Sequence, residues 1–166
     1  MRRVVAVLDT MWDWRSMTSD YGYEERAPEY YIINQKNLSG SRLYKWLGKK
    51  GQYFDELLVT NACPQLVTSS RGRGTPDPKW LSDNLRSLWP FTLLLVGGKV
   101  AQETYRLCDT LEGRQRARVI ELPHPANRTW TRQALDLTRR YIQEGKSDLH
   151  LELNRGKLVA TKLIPF

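Results

Sequence analysis

Thiols and imidazoles are scarce in this 166-residue chain, which has two cysteines, Cys63 and Cys108, and two histidines, His124 and His150. The cysteines lie too far apart in sequence for a short-spaced metal-ligand pair and are too few for a disulfide scaffold, so neither a metal nor a cofactor is expected. Such cysteine usage suits a reducing cytoplasm, and a cytoplasmic location is the expectation. Long apolar runs are missing too. None approaches the length of a membrane span, and the N-terminus has no apolar stretch of the secretory kind, so no membrane role is expected. There is no internal repeat and no low-complexity segment, which leaves one ordinary domain with a sizeable core, expected to be a monomer. Acidic residues are the minority. Against 26 Lys and Arg stand 18 Asp and Glu, for a formal charge of +8 and a pI near 9.7. That balance favours a polyanionic partner, nucleic acid ahead of a membrane surface, although it also fits a merely soluble basic protein.

Short apolar runs that break into polar loops are what the chain does have. Val4-Val5-Ala6-Val7-Leu8 is continuous and rich in β-branched residues, the pattern of a central strand buried on both faces. It ends in Asp9-Thr10-Met11-Trp12-Asp13-Trp14-Arg15, which sets two carboxylates and two indoles on a loop held by a rigid strand. Asp9 or Asp13 would serve equally as a helix N-cap there, and the tryptophans as packing. Ser16 to Asn37 is polar, carries Tyr21, Tyr23, Tyr30 and Tyr31, and shows no period. It reads as a long loop or lid whose aromatics suit stacking on a base. Leu43, Trp46 and Leu47 then fall at helical spacing up to Gly48, with Arg42, Lys45, Lys49 and Lys50 in or near solvent.

Glu56 to Thr60 predicts a second buried strand, stopped by Asn61-Ala62-Cys63-Pro64. Asn61 is therefore a strand-end amide, able to offer a donor and an acceptor side by side to a base edge, or else a turn former. The segment from Ser69 to Pro78 reads as an exposed loop whose Arg71 and Arg73 suit phosphate contact. Asp77 then caps a helix with Pro78 at its first position and Leu81, Leu85, Leu88 and Trp89 on one face. Phe91 to Val96 predicts the third strand, followed by Gly97-Gly98 and a helix with Val100, Thr104, Leu107, Cys108 and Leu111 inward. Gly97-Gly98-Lys99 lacks the spacing of a nucleotide-hydrolase phosphate loop. After the basic run Arg114, Arg116 and Arg118, Val119 to Leu122 predicts the fourth strand, leading to Pro123-His124-Pro125. A helix from about Trp130 to Gly145 follows, with Trp130, Ala134, Leu137 and Tyr141 inward and Arg132, Arg139 and Arg140 available to solvent or DNA. Asp148 to Ile164 has the alternation and the Asn154-Arg155-Gly156 turn of a β-hairpin.

Strands alternating with helices argue for an α/β fold with a parallel sheet covered on both faces, its polar strand ends gathered on one rim. Four segments, in order, carry a family resemblance. They are Leu57-Leu58-Val59-Thr60-Asn61-Ala62-Cys63, Arg71-Gly72-Arg73-Gly74-Thr75-Pro76-Asp77-Pro78, Leu93-Leu94-Leu95-Val96-Gly97-Gly98-Lys99-Val100-Ala101 and His124-Pro125-Ala126-Asn127-Arg128. In order and spacing they resemble the motifs of the uracil-DNA glycosylase superfamily, over roughly residues 39 to 144. The resemblance implies a three-layer α/β/α fold with a central four-stranded parallel sheet, and hydrolysis of the N-glycosidic bond of a flipped uracil or modified pyrimidine in DNA. Residues 1–146 would form that domain and 147–166 a hairpin extension of it.

By the same resemblance Asn61 takes the place of the residue that reads the base edge, and His124 that of the donor to the base carbonyl. The family's water-activating loop normally reads Gly-x-Asp-Pro or Gly-x-Asn-Pro after the first strand. Here the loop holds Asp9 and Asp13 without that glycine and proline, and the iron-sulfur cysteines of some branches are absent. A site for this chemistry needs a carboxylate near the sugar and a donor near the departing base, which Asp9 or Asp13 and His124 would supply. Trp12 and Trp14 would stack on the base, and Arg71, Arg73, Lys99, Asn127 and Arg128 would contact DNA. Two other functions fit the same residues: an inert DNA-binding module, or a hydrolase of small nucleotides or nucleosides.

Overall fold

The computed structural model describes residues 2–12, 28–67, 74–108 and 117–163. Along the chain run β1 (Arg3–Leu8), β2 (Met11–Trp12), α1 (Leu38–Leu47), β3 (Glu56–Asn61), β4 (Leu66–Val67) and α2 (Pro78–Leu88). They are followed by β5 (Leu93–Gly97), α3 (Lys99–Arg106), β6 (Arg118–Leu122), α4 (Arg132–Glu144), β7 (Leu149–Asn154) and β8 (Lys157–Lys162). Among these, no helix is long and apolar enough to cross a membrane.

β1 is central, as its unbroken apolar run requires, with β3 on one side and β5 on the other in a six-stranded sheet of order β3-β1-β5-β6-β7-β8. The first four strands of that order are the expected parallel core. The C-terminal hairpin continues the same sheet. β7 joins β6 in parallel through Ile120↔Leu149 and Glu121↔His150, and β8 turns back antiparallel at the edge. Because strand side chains alternate, each run serves two cores. Val4, Ala6, Leu8, Leu95 and Ile120 pack with Leu43, Trp46 and Leu47 of α1 and Ala134 and Ile142 of α4. Val5, Val7, Leu94 and Val96 pack on the other face with Leu81, Leu85 and Leu88 of α2 and Ala101 of α3. The result is three layers, α/β/α.

Side-chain caps fix three helix starts: Asn37 accepts from the Gly40 N–H, Asp77 from Trp80 and Thr131 from Ala134. Such a cap contributes about 1 kcal/mol. Two helix phases differ from expectation. In α3 the buried residues are Ala101 and Thr104, with Tyr105 and Cys108 packed beside them, whereas Leu107 is 73% exposed. At about 100° per residue, Val100 and Leu107 fall roughly a quarter-turn or more off the face that Ala101 and Cys108 define. In α4 the buried stripe is Ala134, Thr138 and Ile142, and Trp130 is buried ahead of the Thr131 cap. Leu111, Arg114 and Arg116 lie outside the described residues.

The tyrosine-rich segment is not wholly a loop. Its part up to residue 27 lies outside the described residues, but Tyr31 and Ile33 are core residues at 0% and 2% exposure. Tyr31 pairs antiparallel with Val59 by two 2.9 Å backbone hydrogen bonds, and the Thr60 hydroxyl donates to the Glu29 carbonyl at 2.7 Å. Tyr31 is therefore not a stacking platform, because its backbone is needed at the sheet edge and its ring fills the core. A second small sheet, β2 with β4, pairs Met11 with Leu66 and Trp12 with Val67, and so ties the loop after β1 to the loop after β3.

Candidate functional site

Parallel strands end on the same side, so the loops after β1, β3, β5 and β6 share one rim. Across the sheet Leu8 faces Asn61 and Gly97 faces Leu122, which brings Asp9, Asn61, Gly98 and His124 to one edge.

The loop carrying His124 is held from several directions. Its carbonyl accepts from the Trp130 indole at 2.9 Å and from the Asn127 N–H at 2.9 Å. Arg42, on α1, donates to the carbonyls of Pro125 at 2.7 Å and Asn127 at 2.8 Å. The Gly97-Gly98 turn packs beneath. A side chain at Gly97 would meet the Pro125 ring, and one at Gly98, where φ is +96°, would meet the His124 Cβ at 3.3 Å. Two glycines therefore let the third strand end approach the histidine.

Nδ1 of His124 accepts the Ala126 N–H at 3.0 Å. A donor facing Nδ1 requires a lone pair there, so the neutral ring carries its proton on Nε2. Burial pushes the His124 pKa below its ordinary value, and the charge of Asp9 acts in the opposite sense. The imidazole is thus a neutral hydrogen-bond donor at physiological pH, close enough to Asp9 to feel its carboxylate.

Asp9 is half-buried at the end of β1, and its carbonyl accepts from the Cys63 N–H at 3.1 Å. Its Oδ1 lies 3.6 Å from the Cys63 Sγ, within reach of a sulfur donor. Burial first, and then Asp9, push the Cys63 thiol up to about 12. Cys63 is therefore a protonated donor that orients the carboxylate, and not a nucleophile. Gly74 closes over the pair, since a Cβ there would stand 2.5 Å from the Cys63 Cβ and 2.7 Å from the Thr10 Cγ2.

Asn61 is fully buried. Its Nδ2 donates to the Tyr31 hydroxyl at 3.3 Å, while Oδ1 has no partner among the described residues. Buried polar atoms are almost always satisfied, and this orphan stands at a strand end under cover that a ligand would have to displace to reach it. Burial raises the Tyr31 pKa far above its ordinary value, so the phenol stays neutral and serves as a hydrogen-bond partner.

The remaining expected site residues are placed as follows. Lys99 stands at the start of α3 with its side chain 87% exposed and Glu103 3.9 Å away. Asn127 and Arg128 are exposed; the Asn127 Oδ1 accepts from the Thr129 N–H and hydroxyl, so this side chain closes the turn behind His124. Trp12 is described by its backbone in β2. Asp13, Trp14, Arg71 and Arg73 lie outside the described residues. The second histidine is away from the rim, in a polar cluster around the buried Glu121. His150 Nδ1 lies 2.7 Å from Glu121, its Nε2 is 2.8 Å from Glu152, and Arg106 holds Glu121 at 2.6 Å.

Reading the sequence missed Tyr31, Cys63 and Arg42 as supports of the site. Tyr30-Tyr31-Ile32-Ile33 is a short aromatic and β-branched run that could have marked a strand-like pairing. The contacts from Cys63 to Asp9 and from Arg42 to Pro125 join residues distant in the chain and have no local signal.

A family model described as "Uracil DNA glycosylase superfamily" matches residues 22–149. Comparisons with curated proteins and with solved structures find no match.

Proposed function

The chain belongs to the uracil-DNA glycosylase superfamily, whose members act on DNA and are generally DNA glycosylases, and on that premise we propose that it cleaves a flipped uracil or modified pyrimidine from DNA. The observation that carries this reading is the His124 imidazole, held neutral with its proton on Nε2 at the rim where Asp9 and Asn61 also end. When the bond from C1′ to the base breaks, its electron pair moves onto the base and the sugar gains oxocarbenium character. A neutral Nε2–H donates to the base carbonyl as negative charge grows there. One such donor is worth about 3 to 4 kcal/mol in the transition state.

The Asp9 carboxylate faces the opposite charge. It stabilises the cationic sugar and accepts a proton from the water that attacks C1′, while the Cys63 thiol on Oδ1 fixes its orientation. Asp13, on the same loop, is the alternative for this role. The Asn61 Oδ1 accepts an N–H from the base edge, which selects a pyrimidine that offers a donor there. Trp12 and Trp14 stack on the extruded base, and Arg71, Arg73, Lys99, Asn127 and Arg128 hold the flanking backbone. Together these contacts offset the few kcal/mol that flipping costs.

The test is single-turnover incubation with single- and double-stranded oligonucleotides carrying uracil or a modified pyrimidine, followed by alkali to reveal abasic sites. Wild type should cleave at least one of them. Of Asp9→Asn and Asp13→Asn, one should bind DNA yet be nearly inactive. A wild type that leaves every base in place defeats the glycosylase reading and favours a binding module on the same fold.

A further inference from the structure

We propose that the slot between α1 and α4 is a track for single-stranded nucleic acid leading away from the rim, a binding surface separate from the base site. This inference rests on the DNA reading of the rim and extends it to where the flanking strand runs.

The slot encloses about 720 Å³ between the outer faces of the two helices. Arg42 and Lys45 line the slot from α1 and Lys49 from just past its end, and Arg132 and Arg139 line the α4 side two turns apart. On a helix those two arginines stand about 10 Å apart along the axis, so the two helices form facing rows of cations. Asp136 is the one carboxylate in the lining. Some exposed cations elsewhere stand within reach of a carboxylate, as Lys99 does with Glu103 and Arg140 with Glu144. Among the described residues, Lys45, Lys49, Arg132 and Arg139 have no such partner. With Arg42 the slot holds five cations against one carboxylate, and it is this local excess that a polyanion would neutralise.

The floor is apolar. Leu135 and Tyr44 are half-buried there, and Leu38 is 48% exposed at the edge. Cations above an apolar and aromatic floor suit a nucleic-acid strand, whose phosphates need charge and whose bases need apolar faces; a merely solvated helix face has no use for such a floor. A cleft between two packed helices admits one extended strand, and a duplex would ride over it.

The slot is also continuous with the site. Arg42 lines it and at the same time holds the Pro125 and Asn127 carbonyls of the His124 loop. A strand whose target base sits at the rim would pass Asn127 and Arg128 and then enter between the helices.

The experiment uses the whole chain and fluorescein-labelled oligonucleotides with one central uracil and flanks of increasing length, measured by anisotropy across a salt series. Wild-type affinity should rise as single-stranded flanks lengthen. Lys45→Glu with Arg139→Glu should weaken the long strand by about tenfold or more, while the shortest oligonucleotide is bound as before. The neutral pair Lys45→Gln with Arg139→Gln should flatten the log–log salt dependence by about 1.4, at about 0.7 per lost phosphate contact on a single strand. Lys157→Glu with Lys162→Glu, the same charge change on the C-terminal hairpin outside the slot lining, should leave the flank dependence intact. Circular dichroism verifies folding.

Equal losses in the slot and hairpin variants would overturn the proposal, as would no loss in either. So would an equal loss on duplex DNA, or a loss confined to vesicles of phosphatidylserine and phosphatidylcholine. A wild type that binds no oligonucleotide defeats the rim reading and this one together. A wild type that binds and cleaves, but ignores changes at Lys45 and Arg139, defeats the slot alone.

Discussion

Replacing Asn61 by Leu and Tyr31 by Phe in one chain removes a polar pair that is fully buried and, among the described residues, only half satisfied. An unpaired buried acceptor costs about 1–3 kcal/mol, and the 3.3 Å bond from Nδ2 to the phenol lies beyond the usual range, so its net worth is at the low end of about 0.5–1.5 kcal/mol. Removing both groups together sheds the larger penalty and forfeits the smaller gain, and Asn→Leu keeps the same number and branching of heavy atoms. The double variant should therefore be more stable than wild type by roughly 1 kcal/mol, which is about 2–4 °C in Tm for a chain of this length. The single changes should not stabilise. Tyr31→Phe leaves the whole amide unpaired, and Asn61→Leu strands the hydroxyl, each restoring a penalty of about 1–3 kcal/mol. Urea unfolding with an unchanged m-value gives the four stabilities, and single-turnover cleavage gives activity, which the double variant should lose. Most core changes destabilise, so a gain would be a specific outcome. A double variant less stable than wild type would mean that the Asn61 carbonyl already has a partner in the free protein, and the argument that it waits for a base would fall.

Three further outcomes follow from the rim. His124→Ala should lower single-turnover cleavage by about two to three orders of magnitude with DNA binding retained, because a donor to the departing base acts in the transition state; an unchanged rate would remove His124 from the mechanism. An NMR titration should place the His124 pKa below its ordinary value, and Asp9→Asn should lower it further, since the Asp9 charge works against burial. With the folded pKa depressed, the unfolded chain takes up the proton first as pH falls through about 6.5, so this group's share of stability is present above that pH and is lost down to the folded value. A pKa that rises in Asp9→Asn would refute the proximity of the two groups. Gly98→Ala forces a side chain into φ +96° and against the His124 Cβ at 3.3 Å. It should cost about 1–2 kcal/mol in thermal unfolding and slow cleavage, and wild-type behaviour in both assays would show that the turn can shift without moving the ring.

The parallel core was legible because β1, β3, β5 and β6 are buried on both faces, which leaves unbroken apolar runs such as Val4–Leu8 and Leu93–Val96 in the sequence. Once those strands are parallel, the positions of Asp9, Asn61 and His124 follow, since each comes just after a run. Helix phase was less legible. Leu107 and Ala101 compete for the inner face of a helix of eight residues, too short for hydrophobicity to outvote packing, and the smaller side chain lies under the sheet. β2 and β4 are two residues each and exist only because two loops meet, so no local pattern announces them. Tyr31 lies in a run of only four apolar and aromatic residues, Tyr30 to Ile33, within a longer polar stretch, and its place depends on Val59, 28 positions along the chain. The same distinction separates a residue's presence at the site from its chemical state. The strand ends deliver an aspartate, an amide and an imidazole, but the Nε2–H tautomer is set by the Ala126 N–H that donates to Nδ1, the orientation of Asp9 by Cys63, and the open carbonyl of Asn61 by a phenol that occupies the other end of its amide. Substituting those supports should change protonation, orientation or base preference while the rim residues stay in place, and substituting the rim residues should remove the chemistry itself.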